Sequence, residues 1–175
     1  MALTKLNTRS GIDLSSYATS TDLDDLTTGK VLQVVQTQLG SYIDTSSTSV
    51  TNLFSASITP SSTSSKILIL ASINGRKLSG SNTSSYVGIN RGSTRLPCSL
   101  EWIDASVDLY TSATITYLDS PSTTSSTTYY ATAQNGSSSD TFRYFADGYG
   151  GVYRNCSIQL IEVAGWFQKT FINIQ

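Results

Sequence analysis

Residues 59–73 read TPSSTSSKILILASI, and this stretch decides the fold class. A Pro/Ser/Thr turn leads directly into the most apolar run of the chain, and the turn-forming pair Asn74-Gly75 follows it. Because side chains alternate between the two faces of a strand, the odd-numbered residues from 67 to 73 are expected on one face, with Leu68 and Leu70 on the other. The run therefore predicts a strand buried on both faces at the centre of an all-β domain.

Shorter apolar or alternating runs lie on both sides of this strand at even intervals. Clusters of Gly, Asn, Ser and Thr separate them, and Pro97 within one run marks an edge strand or a bulge. The runs cover residues 31–35, 50–58, 66–73, 86–90, 95–100, 105–118, 127–133, 142–145 and 156–163. About nine short strands with such turns are typical of a two-sheet sandwich. We therefore expect an all-β fold with a single jelly-roll-like antiparallel β-sandwich over residues 29–165.

Residues 1–28 form a separate segment, in which apolar side chains are few and widely spaced. Two interpretations are open: a disordered tail, or an arm that becomes ordered when it docks on a larger partner. The regular recurrence of apolar side chains favours the second. The expected docking residues are Leu3, Leu6, Ile12, Leu14, Tyr17, Leu23 and Leu26. At the other end, residues 166–175 are expected to be a short aromatic extension that the sandwich does not need.

The composition argues against several classes of function. The chain has no histidine, so the commonest general base and metal ligand are missing, and we expect neither catalysis nor a cofactor or metal. The net charge is −1 and only 13% of the residues are charged, which disfavours nucleic-acid binding. No apolar stretch approaches the roughly 20 residues that span a bilayer, so membrane insertion is not expected. Cys98 and Cys156 are expected to be free buried thiols rather than a disulfide.

One possible catalytic arrangement is a pair of carboxylates. Glu101 together with Asp104, Asp108 or Asp119 would supply the two carboxylates of a glycosidase. Nothing in their spacing singles out a pair, because a chain with 12 Asp and Glu residues brings some of them close by chance. An enzyme of this kind, a depolymerase, is therefore the least favoured hypothesis.

Surface recognition is better supported, because the chain has ten Tyr residues among many Ser, Gly and Asn residues. Binding loops use this mixture, since a Tyr ring gives contact area at a low cost in entropy. For any single Tyr, packing between sheets or subunits is the simpler explanation. The candidate contact loops are 77–85, 119–126, 135–141 and 147–151, and the residues chosen to represent them are Ser81, Asn82, Thr123, Asn135 and Tyr149.

Three motifs carry a resemblance to a known family. They are TGKVLQVV at 28–35, ITPSSTSSKILI at 58–69 and CSIQLIEV at 156–163. Together they resemble small virion structural proteins of tailed bacteriophages, of the tail-fibre or head-fibre type found in marine phages and cyanophages. The resemblance covers roughly residues 28–165 and includes no catalytic motif. Residues 166–175 depart from the pattern, since such chains often stop near the equivalent of residues 163–165.

The resemblance implies a β-sandwich, usually a homotrimer, that is displayed on the virion and often contacts the host surface. In the first hypothesis the protein is a fibre or spike, assembled in the host cytoplasm. Its arm, residues 1–28, anchors it to a capsid or tail protein, and its loops adsorb to a host-surface glycan or protein. In the second hypothesis it is a decoration or cement protein that stabilises the capsid or tail and binds no receptor.

Overall fold

The computed structural model describes residues 30–80, 84–98, 100–102, 110–146 and 155–165, and within these ranges the chain is all-β and contains no helix. The predicted arm and the C-terminal extension lie outside them. The strands are β1 (Val31–Gln38), β2 (Ile43–Thr45), β3 (Thr51–Ile58), β4 (Lys66–Ser79), β5 (Ser85–Arg91), β6 (Thr94–Arg95), β7 (Leu100–Trp102), β8 (Tyr110–Asp119), β9 (Thr127–Asn135), β10 (Thr141–Tyr144) and β11 (Ser157–Val163).

Six of these strands are the halves of three longer, interrupted strands. β10 and β11 both pair antiparallel with β4, one after the other, so that Tyr144 lies opposite Gly75 and Ser157 lies opposite Ser72. β1 pairs with β11 and β2 with β10 in the same way. β6 and β7 pair with the two ends of β5, and Pro97 lies in the interruption between them. Pro97 therefore does mark an edge strand, as the sequence predicts.

Counted in this way, eight long strands form two antiparallel sheets. The first sheet has the order β1/β2, β10/β11, β4, β8, and the second has the order β3, β9, β5, β6/β7. In chain order of the long strands, the first sheet reads 1-8-3-6 and the second reads 2-7-4-5. This arrangement of two Greek keys is a jelly roll. The predicted jelly-roll-like antiparallel sandwich is confirmed.

The core lies between the sheets, and β4 contributes one complete face to it. Ile67, Ile69 and Ile73 are 0% exposed, and each contributes roughly 1.5–3 kcal/mol by its burial. Leu68 and Leu70 point outward and are only partly covered, so the prediction of burial on both faces was wrong. The sequence did not reveal this, because the run is equally apolar whether its second face is covered by another layer or lies at the surface.

The predicted end of the central strand at Asn74-Gly75 was also wrong. β4 continues to Ser79, because β8 pairs with it as far as Arg76 on one side and β10 pairs with it from Gly75 to Ser79 on the other. Two neighbouring strands thus hold this pair in an extended conformation, although Asn-Gly favours a turn when it is considered alone.

The connections gather at two opposite ends of the sandwich. At the terminal end lie connections 59–65, 92–93 and 120–126 together with Lys30 and Gly165, where the Ala164 amide donates to the Lys30 carbonyl at 2.9 Å. At the far end lie connections 46–50 and 136–140, and the connections that leave β4 and β7 also start there. Both ends of the described chain therefore leave the sandwich at the same pole.

Candidate interaction surfaces

The far end is held together by Asn135. Its side-chain amide donates to the carbonyls of Thr45 and Asp140, each at 2.9 Å, and its side-chain oxygen accepts from Ser85 Oγ at 3.2 Å. Its backbone amide donates to the Ser47 carbonyl at 2.8 Å. Asn135 is 1% exposed, so the prediction that it contacts a receptor is corrected. Asn-Gly indicated a turn, but the sequence carried no sign that the Asn side chain ties together the end of β2, the start of β5 and connection 136–140.

Around Asn135 the far end presents a surface of hydroxyl groups, residues 46–49 and 137–139, which we call the hydroxyl tip. Thr48, Ser49 and Ser139 are among its exposed members. Ser47 Oγ donates to the Ser49 carbonyl at 2.8 Å, and the hydroxyls of Ser137 and Ser139 lie 2.8 Å apart. These seven residues include no charged side chain, so the tip suits a neutral polar ligand better than an ion.

The other predicted contact residues lie elsewhere or outside the described residues. Ser81, Asn82 and Tyr149 fall outside them, as do all seven predicted anchoring residues of the arm. Thr123 is half-buried in connection 120–126, at the terminal end. The structure therefore does not bring Thr123 together with Asn135, which lies at the opposite pole.

Across the outer face of the first sheet runs a line of four apolar side chains, Val34, Ile161, Leu68 and Leu118, which we call the apolar row. Val34 lies opposite Ile161, Ile161 opposite Leu68, and Leu68 opposite Leu118, so the row crosses all four long strands. Val34 is 58% exposed and Leu118 52%, whereas the two central residues are partly covered. The row lies near the terminal end, and Val31, opposite Val163, extends it.

Two exposed Tyr residues contact arginines. The Arg143 guanidinium lies 4.2 Å from the centre of the Tyr42 ring and forms a two-bond ion pair with Asp44, both bonds 2.7 Å. Arg76 lies 5.6 Å from the centre of the Tyr110 ring. These cation–π contacts occupy ring faces that would otherwise be open to a ligand.

Two other tyrosines are part of the interior. Tyr129 is 0% exposed, and its hydroxyl donates to Asp119 at 2.7 Å. Burial and the neighbouring Asp119 carboxylate raise the pKa of Tyr129 above its usual range. Tyr144 is equally buried, with its hydroxyl 2.8 Å from Ser85 Oγ. For these two residues the packing explanation is correct.

Three buried carboxylates hold structure together. Glu162 accepts hydrogen bonds from the Ser61 amide at 2.7 Å, from Ser61 Oγ at 2.6 Å and from Gln33 Nε2 at 2.6 Å, which joins β11 to connection 59–65 and to β1. Burial would raise the pKa of Glu162, but these hydrogen bonds outweigh it and lower the pKa to about 2. The carboxylate is therefore ionised and held in place.

The other two carboxylates pair with cations. Both oxygens of Asp119 accept from Arg91, at 2.9 and 2.8 Å, and this pair links the two sheets near the terminal end. Asp140 lies 3.4 Å from Lys77 Nζ, and the two side chains are 0% and 1% exposed. Gly80, with a φ of 111°, lies directly against Asp140, where a Cβ would overlap the carboxylate.

The contacts of Asp119 and of the two cysteines bear on the catalytic and thiol chemistry considered in the sequence analysis. Asp119, a member of the hypothetical glycosidase pair, is engaged by Arg91 and Tyr129, and the remaining members lie where no side chain is described. Cys98 and Cys156 are free thiols, as predicted, but only Cys156 is buried and Cys98 is half-buried. Burial raises the pKa of both. The described part of the chain contains no cluster of three His, Cys, Asp or Glu residues fit to bind a metal. It likewise contains no helix long and apolar enough to cross a membrane.

Comparison with known proteins gives a distant structural likeness. No family model and no curated protein matches the chain. Similar solved chains come from infectious bursal disease virus. A chain of the Gt strain is 11% identical with a TM-score of 0.44, over 76% of this chain and 38% of that one. A mutant VP2 protein in derived T=1 particles is 10% identical with a TM-score of 0.41, over 76% and 36%. This chain spans little more than a third of those viral chains, and such values establish neither a family nor a role.

Proposed function

We propose that this protein is a virion structural protein of the tailed-bacteriophage fibre or spike type. Residues 1–28 attach it to a capsid or tail protein, and the sandwich, as a homotrimer, projects toward the host surface. The resemblance of motifs 28–35, 58–69 and 156–163 to such proteins supports this proposal. So does the jelly roll itself, a rigid domain whose two ends can face different partners.

The observation that carries the proposal is the polarity of the sandwich. Lys30 and Gly165 leave at the terminal end, whereas the hydroxyl tip lies at the far end. A module attached through an arm that precedes Lys30 therefore turns its far end away from the attachment point. Hydroxyl groups held by backbone and side-chain hydrogen bonds can pair with sugar hydroxyls at little cost in ordering. A host-surface glycan is thus the ligand class that the tip fits best.

Contact rather than chemistry is the proposed role. The buried carboxylates hold the fold together, Cys156 is buried and Cys98 is half-buried, and the chain has no histidine. We therefore expect no release of sugar when the protein is incubated with host envelope.

Deleting residues 1–28 should abolish incorporation into particles while the sandwich still folds. The proposal assigns all attachment to the arm, and strand β1 begins only at Val31. The measurement is the amount of protein that co-purifies with particles, with circular dichroism of the truncated protein as the folding control. Truncated protein that joins particles at the normal level would overturn the anchoring role.

A cryo-EM map of the assembled particle tests the polarity. We expect three sandwiches around an axis, the terminal end toward the particle and residues 46–49 and 137–139 outermost. A tip that faces the particle, or sandwiches arranged singly, would contradict the proposal.

The apolar row favours one alternative function, that of a decoration or cement protein. A sheet face with exposed Val34 and Leu118 could lie flat on neighbouring shell subunits. Copy number separates the two functions, since hundreds of copies across the shell indicate cement and a small number at one site indicates a fibre.

A further inference from the structure

The apolar row is unusual among the described outer surfaces of the sandwich. Of the seven large hydrophobic side chains that remain exposed in the described residues, Val31, Leu32, Val34 and Leu118 all lie on or beside it. The next line of outward side chains across the same strands is more polar: Gln36, Gln159, Leu70 and Thr116. The row is therefore a confined apolar patch and not a general property of the sheet.

The chain passes beside this patch as it leaves the described fold. Val163, the last residue of β11, lies opposite Val31 at one margin of the patch, and Gly165 follows after a single residue. The next ten residues read WFQKTFINIQ, with five large apolar side chains and one charge. Such a segment gains by leaving water, and an apolar surface lies at its point of departure.

We propose that residues 166–175 fold back onto the outer face of the first sheet and cover the apolar row. The dimensions allow it. Four strands about 4.8 Å apart place Val34 and Leu118 roughly 15 Å from each other, and ten extended residues reach about 33 Å. Attachment to the same chain also keeps the segment at a high local concentration over the row.

The size of the patch favours this occupant over a second copy of the chain. The four side chains of the row, two of them exposed and two partly covered, present at most roughly a few hundred Å² of apolar surface. A stable interface between copies buries about 800 Å² on each partner. A ten-residue segment matches the smaller area. The inference is independent of the proposed virion role, because it concerns the isolated protein.

Trp166 makes the proposal measurable. The chain has two Trp residues, so Trp102→Phe leaves Trp166 as the single reporter. We expect its fluorescence to be blue-shifted and protected from acrylamide, and both properties to be independent of protein concentration. Leu118→Asp should move the emission to that of tryptophan in water and raise quenching several-fold. Thr114→Asp is the matched control, since it places the same charge on the same strand and face, outside the row, and should change neither property.

Each outcome is decisive. Trp166 emission that is already red-shifted in the Trp102→Phe protein would overturn the proposal. So would a blue shift that persists when Leu118→Asp is added. A blue shift that is lost on dilution would assign the row to a second copy instead. Phe171→Asp offers an independent check from the segment side and should produce the same red shift while the thermal midpoint of the sandwich stays unchanged.

Discussion

Asp140→Asn should lower the free energy of unfolding by about 3–5 kcal/mol, the usual cost of removing one partner from a buried ion pair. Asp140 and Lys77 are 0% and 1% exposed, and their charged atoms lie 3.4 Å apart. An amide has nearly the shape of the carboxylate but does not balance the charge of Lys77. The measurement is chemical denaturation of the variant and the parent protein under the same conditions.

Two further variants separate the buried charge from the substitution itself. Asp44→Asn makes the same chemical change in the Arg143 pair, but Asp44 is 36% exposed, so we expect a loss below about 1 kcal/mol. Adding Lys77→Met to Asp140→Asn should restore much of the lost stability, because the unbalanced charge is then gone. Equal losses in the Asp44 and Asp140 variants would contradict the importance of burial.

Acid should destabilise the sandwich through Glu162. Its pKa falls from an ordinary value of 4.5 to about 2 on folding. A group whose folded pKa is depressed contributes stability that is complete above its unfolded pKa and is lost as the pH falls toward its folded pKa. We expect the free energy of unfolding to decline between these two values, by at most about 3 kcal/mol, since each pKa unit corresponds to about 1.36 kcal/mol. Denaturation curves across this pH range measure the decline.

Glu162→Gln should lower the free energy of unfolding at neutral pH by much of this amount. It should also make the decline of the free energy of unfolding in acid shallower. The new side-chain amide keeps one acceptor oxygen, but its NH2 group cannot accept a hydrogen bond, so the donors of either Ser61 or Gln33 lose their partner. Gln33→Ala, which removes a single donor, should cost less and leave most of the pH dependence in place. A decline in acid that is as steep in Glu162→Gln as in the parent protein would show that other groups cause it.

The sequence predicted the fold class and most of the strands, because alternation and turn residues are local signals. It did not predict that β4 passes straight through Asn74-Gly75, since neighbours distant in sequence impose that conformation. It also could not show that Leu68 and Leu70 face outward, because periodicity alone does not say whether a second layer covers a strand.

The candidate site was less predictable for the same reason. Asn135 lies in a turn motif that is typical of exposed loops. Its side chain is nevertheless fully hydrogen-bonded to three separate parts of the chain. The hydroxyl tip combines residues 46–49 with residues 137–139, which no local pattern connects. The apolar row joins one residue from each of four strands, so it exists only once the register is known.

The interrupted strand formed by β10 and β11 has a consequence for evolution. The chain leaves the first sheet after Tyr144 and rejoins it at Ser157 along the same partner strand, and the Cys156 amide closes the gap by donating to the Phe145 carbonyl at 2.9 Å. The entropic cost of closing a loop rises by only about 0.6 kcal/mol when its length doubles. Sequence inserted between these two points therefore leaves both halves of the strand anchored on β4. Natural selection, or an engineer displaying a foreign peptide, can lengthen the chain at this position without rebuilding the sandwich.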